Sequence, residues 1–410
     1  MSIDTLLAPW VGRLFRSAVQ VAAAVGHRRA GELLRYRDRP DWPEGPFDGW
    51  IHCASHGEWE TVRPVALNYL AAHPDRRLLV TFFSPSGRHA SLPNTPQLRS
   101  APLPWDTPTE VRAFLERTRP RWLLLVQYDV WPALVAGCRA EGIPWGVLNA
   151  RWSPSLRWSK SLWRSASLLT VQNPSDAARF SQTKLPALCV GDTRFDNVLL
   201  RAQSASGAEK LSWPAPFDAF NDARGLVVLG SLWPEDAPLV LPLLARFPEY
   251  KWVLVPHSVS ESSLQFWEGK LPVPHIRWST CLTDLPPAHP ENARALLVDA
   301  VGVLFDLYGL ATFAYVGGGR SQGQHNFLEP LAWGVPTAIA LEGSRNRPDA
   351  ASAAQAGILH LAQDSLSLAE CWSDWQKTPP KGLQDWVSHQ AGATARTAAA
   401  IEEWENTQHG

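Results

Sequence analysis

Two carboxylates and two glycine-bearing loops carry the chemistry available to this sequence. Glu58 follows Ser55-His56-Gly57 at the end of an apolar run, 49–54, and opens a helix-compatible stretch, 58–72. A strand-to-helix loop presents its side chains at the mouth of an α/β fold. Loop amides and the helix N-terminus then favour the ionised form that accepts a proton. Glu58 is therefore a candidate general base, with Ser55 and Gly57 in the loop beside it, although a capping carboxylate without chemistry fits the same pattern. Asp129 stands just past another apolar run, 122–126, and Pro132 opens the next helix; here cap and catalytic group are equally good readings. A third strand end, Thr81-Phe82-Phe83-Ser84-Pro85-Ser86-Gly87, delivers hydroxyls and amides through Ser84, Ser86 and Gly87.

The second half of the chain offers anion-binding chemistry. Gly317-Gly318-Gly319 follows the apolar run 312–316 and leads through His325-Asn326-Phe327-Leu328-Glu329-Pro330 into a helix. Glycines at a strand end let backbone approach a ligand closely, and the next helix offers unpaired N–H groups to an anion. Glu329 in the first turn suits the two hydroxyls of a ribose, so a sugar nucleotide is the ligand this run fits best. Gly230-Ser231-Leu232-Trp233-Pro234-Glu235-Asp236 joins another strand to a helix with Pro near its start, again an anion site. Pro256-His257 ends the strand after it, and a lone histidine there is ordinarily structural. With no Asp-x-Asp pair in the cleft, neither a metal nor another cofactor is expected.

These loops need strands to end on. Apolar runs at 49–54, 77–83, 122–126, 145–148 and 167–171 alternate with helix-compatible stretches at 58–72, 107–117, 131–140 and 175–181. A polar stretch near 202–222 interrupts the series, which resumes with strands at 225–230, 252–256, 295–298, 312–316 and 335–340. Alternation of this kind predicts two doubly wound parallel sheets, with ligands at the carboxyl ends of strands in a cleft between them. The expected division is an N-terminal segment 1–40, a first domain 41–200, a linker 201–224 and a second domain 225–410 that includes the C-terminal helix. Two domains also suit 410 residues, more than one core usually serves.

A net charge of −1 gives no overall field for nucleic acid, which is not expected as a partner. The five cysteines are widely spread and form no Cys-x-x-Cys pair, a pattern of reducing compartments without disulfides or zinc. The segment 6–30 is too charged, and its uncharged run 17–26 too short, to span a bilayer. Helical spacing puts Leu6, Trp10, Leu14, Val19 or Val21, and Val25 on one side, and Arg28, Arg29, Arg35, Arg37 and Arg39 follow. A helix lying on an anionic membrane surface and a helix packed on its own domain both fit this pattern.

Taken in order, the motifs resemble the 3-deoxy-D-manno-octulosonic acid (Kdo) transferases of lipopolysaccharide assembly. The match runs from Ile51 to beyond Ala340 and adds Leu103-Pro104-Trp105-Asp106, Asp129-x-Trp131-Pro132 and Gly191-Asp192-Thr193-Arg194-Phe195-Asp196 to the segments above. Each motif is weak alone; eight in sequence order are specific. The resemblance implies an inverting glycosyltransferase of the two-Rossmann GT-B architecture, working at the cytoplasmic face of the inner membrane of a Gram-negative cell. CMP-Kdo would be its donor and a lipid A precursor its acceptor. Carried across, Glu58 is the base and Asp129 a second catalytic carboxylate, where the family usually has Glu. Ser55, Gly57, Ser84, Ser86 and Gly87 would bind acceptor. The donor would be held by Gly230, Ser231, Pro256, His257, Gly317, Gly318, Gly319, Asn326 and Glu329, with Arg194. A GT-B enzyme or epimerase using another nucleotide sugar, and a relative that binds without catalysis, remain the alternatives.

Overall fold

The computed structural model describes residues 3–38, 41–89, 92, 95–127, 129–153, 156–207, 225–282, 293–320, 323–345 and 347–409, except the side chains of 3–11, 156–159, 206–207 and 409. It divides into two compact units, one of residues 1–197 and 390–410 and one of residues 198–389.

Unit one is built on seven strands: β1 (Gly49–Cys53), β2 (Leu78–Phe82), β3 (Leu98–Pro102), β4 (Leu123–Val126), β5 (Trp145–Ala150), β6 (Leu168–Val171) and β7 (Leu188–Cys189). All pair in parallel, in the order β3-β2-β1-β4-β5-β6-β7. β1 and β2 are buried along their whole length, as helices on both faces of a parallel sheet require. One face carries Trp50, Phe114 and Trp145, the other Trp59, Tyr69 and Trp122. The chain leaves β1 toward β2 and β3 and returns to place β4 on the other side of β1. That reversal is the topological switch point, where a crevice opens beyond the carboxyl ends of two adjacent strands. Glu58 stands in the first turn of the helix that follows β1, and Asp129 in the loop that follows β4.

Unit two repeats the plan with β8 (Leu226–Leu232), β9 (Lys251–Pro256), β10 (His275–Arg277), β11 (Ala295–Leu297), β12 (Phe313–Val316), β13 (Thr337–Ala340) and β14 (Leu359–Ala362). The order is β10-β11-β9-β8-β12-β13-β14, again all parallel. Its switch point lies between β8 and β12, which are followed by Trp233–Asp236 and the Gly317-Gly318-Gly319 run. Four strands were absent from the sequence expectation, β3, β7, β10 and β14, and they are the four sheet edges. An edge strand is not walled in on both sides: β3 exposes Arg99 and Ser100, and both residues of β7 are exposed. No continuous apolar run marks such a strand.

Two boundaries differ from those expected. The helix Thr193–Gly207 runs on through the first residues of the expected linker, and 208–224 lie outside the described residues. The C-terminal helix Ala393–His409 belongs to unit one and not to the second domain. Its Glu405 accepts hydrogen bonds from Trp122 Nε1 (2.7 Å), Arg76 Nη1 (2.7 Å) and Tyr69 Oη (3.1 Å), while Asp196 caps its start by accepting from the Gly392 and Ala393 amides at 2.8 and 3.1 Å.

The N-terminal helices, Ile3–Ala24 and Arg28–Arg37, pack on unit one. Phe15 lies 6.0–6.3 Å from the rings of Phe83, Trp105 and Trp131, and Arg16 reaches Glu110 at 2.6 Å. Arg37, expected to face lipid headgroups, is instead 2% exposed and donates to the Leu103 and Pro104 carbonyls at 3.1 and 2.5 Å. Those two carbonyls and the Trp105 ring, 4.2 Å beneath the guanidinium, offset its desolvation. Leu14, Val21 and Val25 are exposed while Val19 is buried, so the helix keeps an apolar outer stripe. Arg39 and the side chains of Leu6 and Trp10 lie outside the described residues. Among the described residues, no helix is long and apolar enough to cross a membrane.

Candidate functional site

Glu58 is the third residue of the helix His56–Ala72, and its Oε2 accepts the Ala54 N–H at 2.5 Å. Burial lifts its carboxyl to about 7; the Ala54 hydrogen bond opposes the rise and the charge of Asp129 adds to it. This corrects the expectation of a permanently ionised group, because desolvation outweighs one hydrogen bond and a helix terminus. The consequence favours catalysis: a carboxyl near 7 is a far stronger base than a free one and still substantially ionised at neutral pH. Asp129 is 28% exposed and follows Gln127, whose φ of +62° turns the chain sharply out of β4.

The loop after β2 is tied to the same place. The Ser84 amide donates to Ala54 O at 3.0 Å, the hydroxyls of Ser84 and Ser86 are 2.5 Å apart, and Ser86 Oγ accepts the His56 amide at 3.3 Å. Ser86 thus helps to hold the start of the Glu58 helix. Gly87 is forced by close approach, since a Cβ there would lie 2.1 Å from the Phe82 ring. Ser55 precedes the helix without a side-chain capping bond, and Gly57 is exposed with room for a side chain. Asp106 proves structural: it accepts the Leu134 and Ala133 amides at 2.8 and 3.3 Å and so orients the helix that follows Asp129. Arg194 lies in unit one, its guanidinium clamped on Asp192 at 2.5–3.1 Å.

In unit two the two glycine-bearing loops are pinned together by Asp236, the buried last residue of the Gly230–Asp236 run, whose part the sequence does not reveal. It accepts from the Trp233 amide (2.8 Å), Tyr315 Oη (2.8 Å) and the Gly318 amide (3.2 Å). Burial raises its carboxyl, and those three donors oppose the rise. Gly317 passes within reach of this carboxylate, where a Cβ would lie 2.6 Å from Oδ2, and Gly318 and Gly319 have φ of +92° and +83°. Gly230 sits under Tyr308, and Ser231 turns the β8 chain with φ +52°. His257, directly after Pro256, donates its amide to Leu232 O at 2.9 Å and stacks over both Trp233 (4.4 Å) and His325 (4.5 Å). His325 Nε2 accepts the Trp233 indole N–H at 2.9 Å. Burial and the neighbouring His257 push that imidazole down to about 4, so the ring is neutral at pH 7 with its proton on Nδ1.

Asn326 caps the short helix Leu328–Ala332 through the Leu328 amide at 3.3 Å. Glu329 meets Arg201 at 3.3 Å, and that guanidinium lies 4.0 Å over the Phe305 ring. The fold therefore brings Gly230, Ser231, Pro256, His257 and Gly317-Gly318-Gly319 together, with Asn326 and Glu329 on the element that continues the loop. His52 was missed. It is fully buried on β1, with Nε2 3.6 Å from Asp129 Oδ2. A lone histidine inside an apolar run gives no signal, because its contact is made across strands.

The 3-Deoxy-D-manno-octulosonic-acid transferase (kdotransferase) family model matches residues 27–197. A 3-deoxy-D-manno-octulosonic acid transferase of Bordetella pertussis is 29% identical over 388 residues, 87% of each chain. Another, of Haemophilus influenzae, is 27% identical over 316 residues, 72% of this chain and 70% of that one. A UDP-GlcNAc 2-epimerase from Neisseria meningitidis shares the fold, with a TM-score of 0.59 at 12% identity over 88% of this chain and 99% of that one. The fold is thus that of the GT-B enzymes, two Rossmann-like sheets in one chain. The matched segment holds both Glu58 and Asp129, and over most of its length the chain is similar to 3-deoxy-D-manno-octulosonic acid transferases.

Proposed function

We propose that this glycosyltransferase takes Kdo from CMP-Kdo and adds it, with inversion, to a lipid A precursor in lipopolysaccharide assembly. The observation that carries the proposal is the carboxyl of Glu58, lifted to about 7 at the switch point of unit one. In a single displacement, an acceptor hydroxyl attacks the anomeric carbon, its proton passes to Glu58, and the bond from that carbon to the CMP phosphate breaks. The phosphate departs as an anion, so it needs stabilising dipoles more than an acid. The Gly319 amide, the side-chain-free backbone of the Gly317-Gly318-Gly319 run and the Gly230-Ser231 turn are suited to the donor phosphate, and Glu329 to the ribose. Ser55, Gly57, Ser84, Ser86 and Gly87 would line the acceptor side.

A lipid acceptor requires a docking surface on an anionic bilayer, here taken as the cytoplasmic face of the inner membrane. The exposed Leu14, Val21 and Val25, with the exposed Arg28, Arg29 and Arg35, suit shallow insertion at up to about 1 kcal/mol for each arginine. Vesicle co-sedimentation should require anionic lipid and weaken with salt, and Leu14→Gln/Val21→Gln should reduce it; binding unaffected by that double substitution places docking elsewhere. The reaction itself is tested with CMP-Kdo generated in situ and a tetra-acylated lipid A precursor. A product heavier by Kdo is expected. Absence of product with CMP-Kdo, together with turnover of a UDP-sugar, overturns the proposal.

A further inference from the structure

His52 has no exposed surface, and its two ring nitrogens face different partners. Nδ1 lies 3.0 Å from Thr81 Oγ1 and 3.2 Å from Thr81 O on the neighbouring strand β2. Nε2 has no hydrogen-bond partner among the described residues and stands 3.6 Å from Asp129 Oδ2. The Thr81 hydroxyl accepts the Trp50 indole N–H at 2.8 Å and can both donate to and accept from His52 Nδ1, so the carboxylate facing Nε2 decides the tautomer. The imidazole proton then sits on Nε2 and points at Asp129. The other tautomer would turn a ring lone pair toward a carboxylate inside a buried site, which is repulsive. At 3.6 Å the contact is longer than a formed hydrogen bond, and bonds of this kind commonly shorten only in the complex with substrate.

We infer that His52 is a positioning residue for the transfer reaction: it donates from Nε2 to Asp129 and holds that carboxylate, with its charge, in place beside Glu58. The inference rests on Glu58 as the general base. The titratable groups around His52 are Asp129, beyond β4; Glu58, on the helix after β1; and the buried Cys53 thiol, which burial and then the two carboxylates push well up, so that it stays protonated. Trp50 and Thr81 complete the chain of donors without carrying charge. Removing the His52 donor frees Asp129 to turn to water, which moves its negative charge away from Glu58.

The test is a double-mutant cycle read as a pH profile of kcat. His52→Phe should lower kcat by about ten-fold and move its acid limb to lower pH, the direction also expected for Asp129→Asn. Combining the two should do no more than Asp129→Asn alone. His52→Gln, whose amide N–H reaches the Nε2 position, should recover most of the rate, whereas His52→Asn, which reaches only Thr81, should not. Additive losses in the double variant, or an unmoved acid limb in a His52→Phe protein with wild-type melting, overturn the inference. If His52→Phe does not fold, Thr81→Val removes the hydroxyl partner of Nδ1 and Thr81→Ser restores it, with the same criteria. Nitrogen chemical shifts of His52 in the full chain give a readout apart from activity: protonation on Nδ1 also overturns the inference. Should Glu58→Gln retain transfer and its acid limb, the base assignment falls; should Glu58→Gln lose transfer while His52 and Asp129 act additively, only the role of His52 falls.

Discussion

Glu58→Gln should make the protein less active and more stable, and the stability gain should depend on pH. Burial holds this carboxyl at about 7, against an ordinary 4.5. At about 1.4 kcal/mol per pH unit, that interval places a penalty of roughly 3 kcal/mol on the ionised form in the folded state. The sign follows from proton uptake. Between pH 4.5 and 7 the folded chain holds a proton on Glu58 that the unfolded chain has released, so wild-type stability falls as pH rises through that window. Glutamine is never ionised and can still accept the Ala54 N–H. The variant and the wild type should therefore be equally stable near pH 4.5, diverge up to pH 7, and stay separated by up to about 3 kcal/mol above it. Denaturant unfolding followed at pH 4.5, 6, 7 and 8 measures the gap, and kcat on the same samples should be down by about two to four powers of ten. A gap that does not change with pH would refute the buried, raised carboxyl. Near wild-type turnover would refute its role as base.

In wild type, kcat/KM should climb about ten-fold per pH unit below about pH 7 and level off above it, and Asp129→Asn should move that limb to lower pH, because the charge of Asp129 helps to raise Glu58; a flat profile from pH 5 to 8 contradicts this. Glu329→Ala should weaken CMP by about 1.5–3 kcal/mol in calorimetry if its carboxylate bonds the ribose, and unchanged affinity would assign the nucleotide to another loop. Glu405→Ala should destabilise unit one by about 3 kcal/mol in denaturant unfolding, since it strands Arg76, Tyr69 and Trp122 without their shared acceptor; an unchanged midpoint would show that the C-terminal helix is dispensable.

The loops that matter were legible because they sit at the ends of central strands. Those strands are buried on both faces and read as unbroken apolar runs, so the Glu58, Asp129, Gly230 and Gly317 segments could be assigned to strand ends before any contact was known. The edge strands β3, β7, β10 and β14 lack that signature. Arg37 shows another limit: in sequence it is one arginine of a basic cluster, but cation–π and carbonyl contacts draw it into the core while Arg28 and Arg29 stay in water. Arg194 is one residue of an ordered motif in sequence, and only the structure shows its guanidinium paired with Asp192.

By itself the sequence determined the two doubly wound sheets, the identity of the loop residues and the likeness to the 3-deoxy-D-manno-octulosonic acid transferases, because periodicity and ordered motifs are local properties of a chain. Only the tertiary structure decided what those residues are. Strand order made β1 and β4 neighbours, and that adjacency, with the burial it brings, set Glu58 near 7 beside Asp129 and put His52 behind it. The same holds for Asp236, whose three donors come from different loops and strands, and for the helix Ala393–His409, which returns to unit one through Glu405. Protonation, pairing and domain membership depend on neighbours distant in sequence, and only folding supplies them.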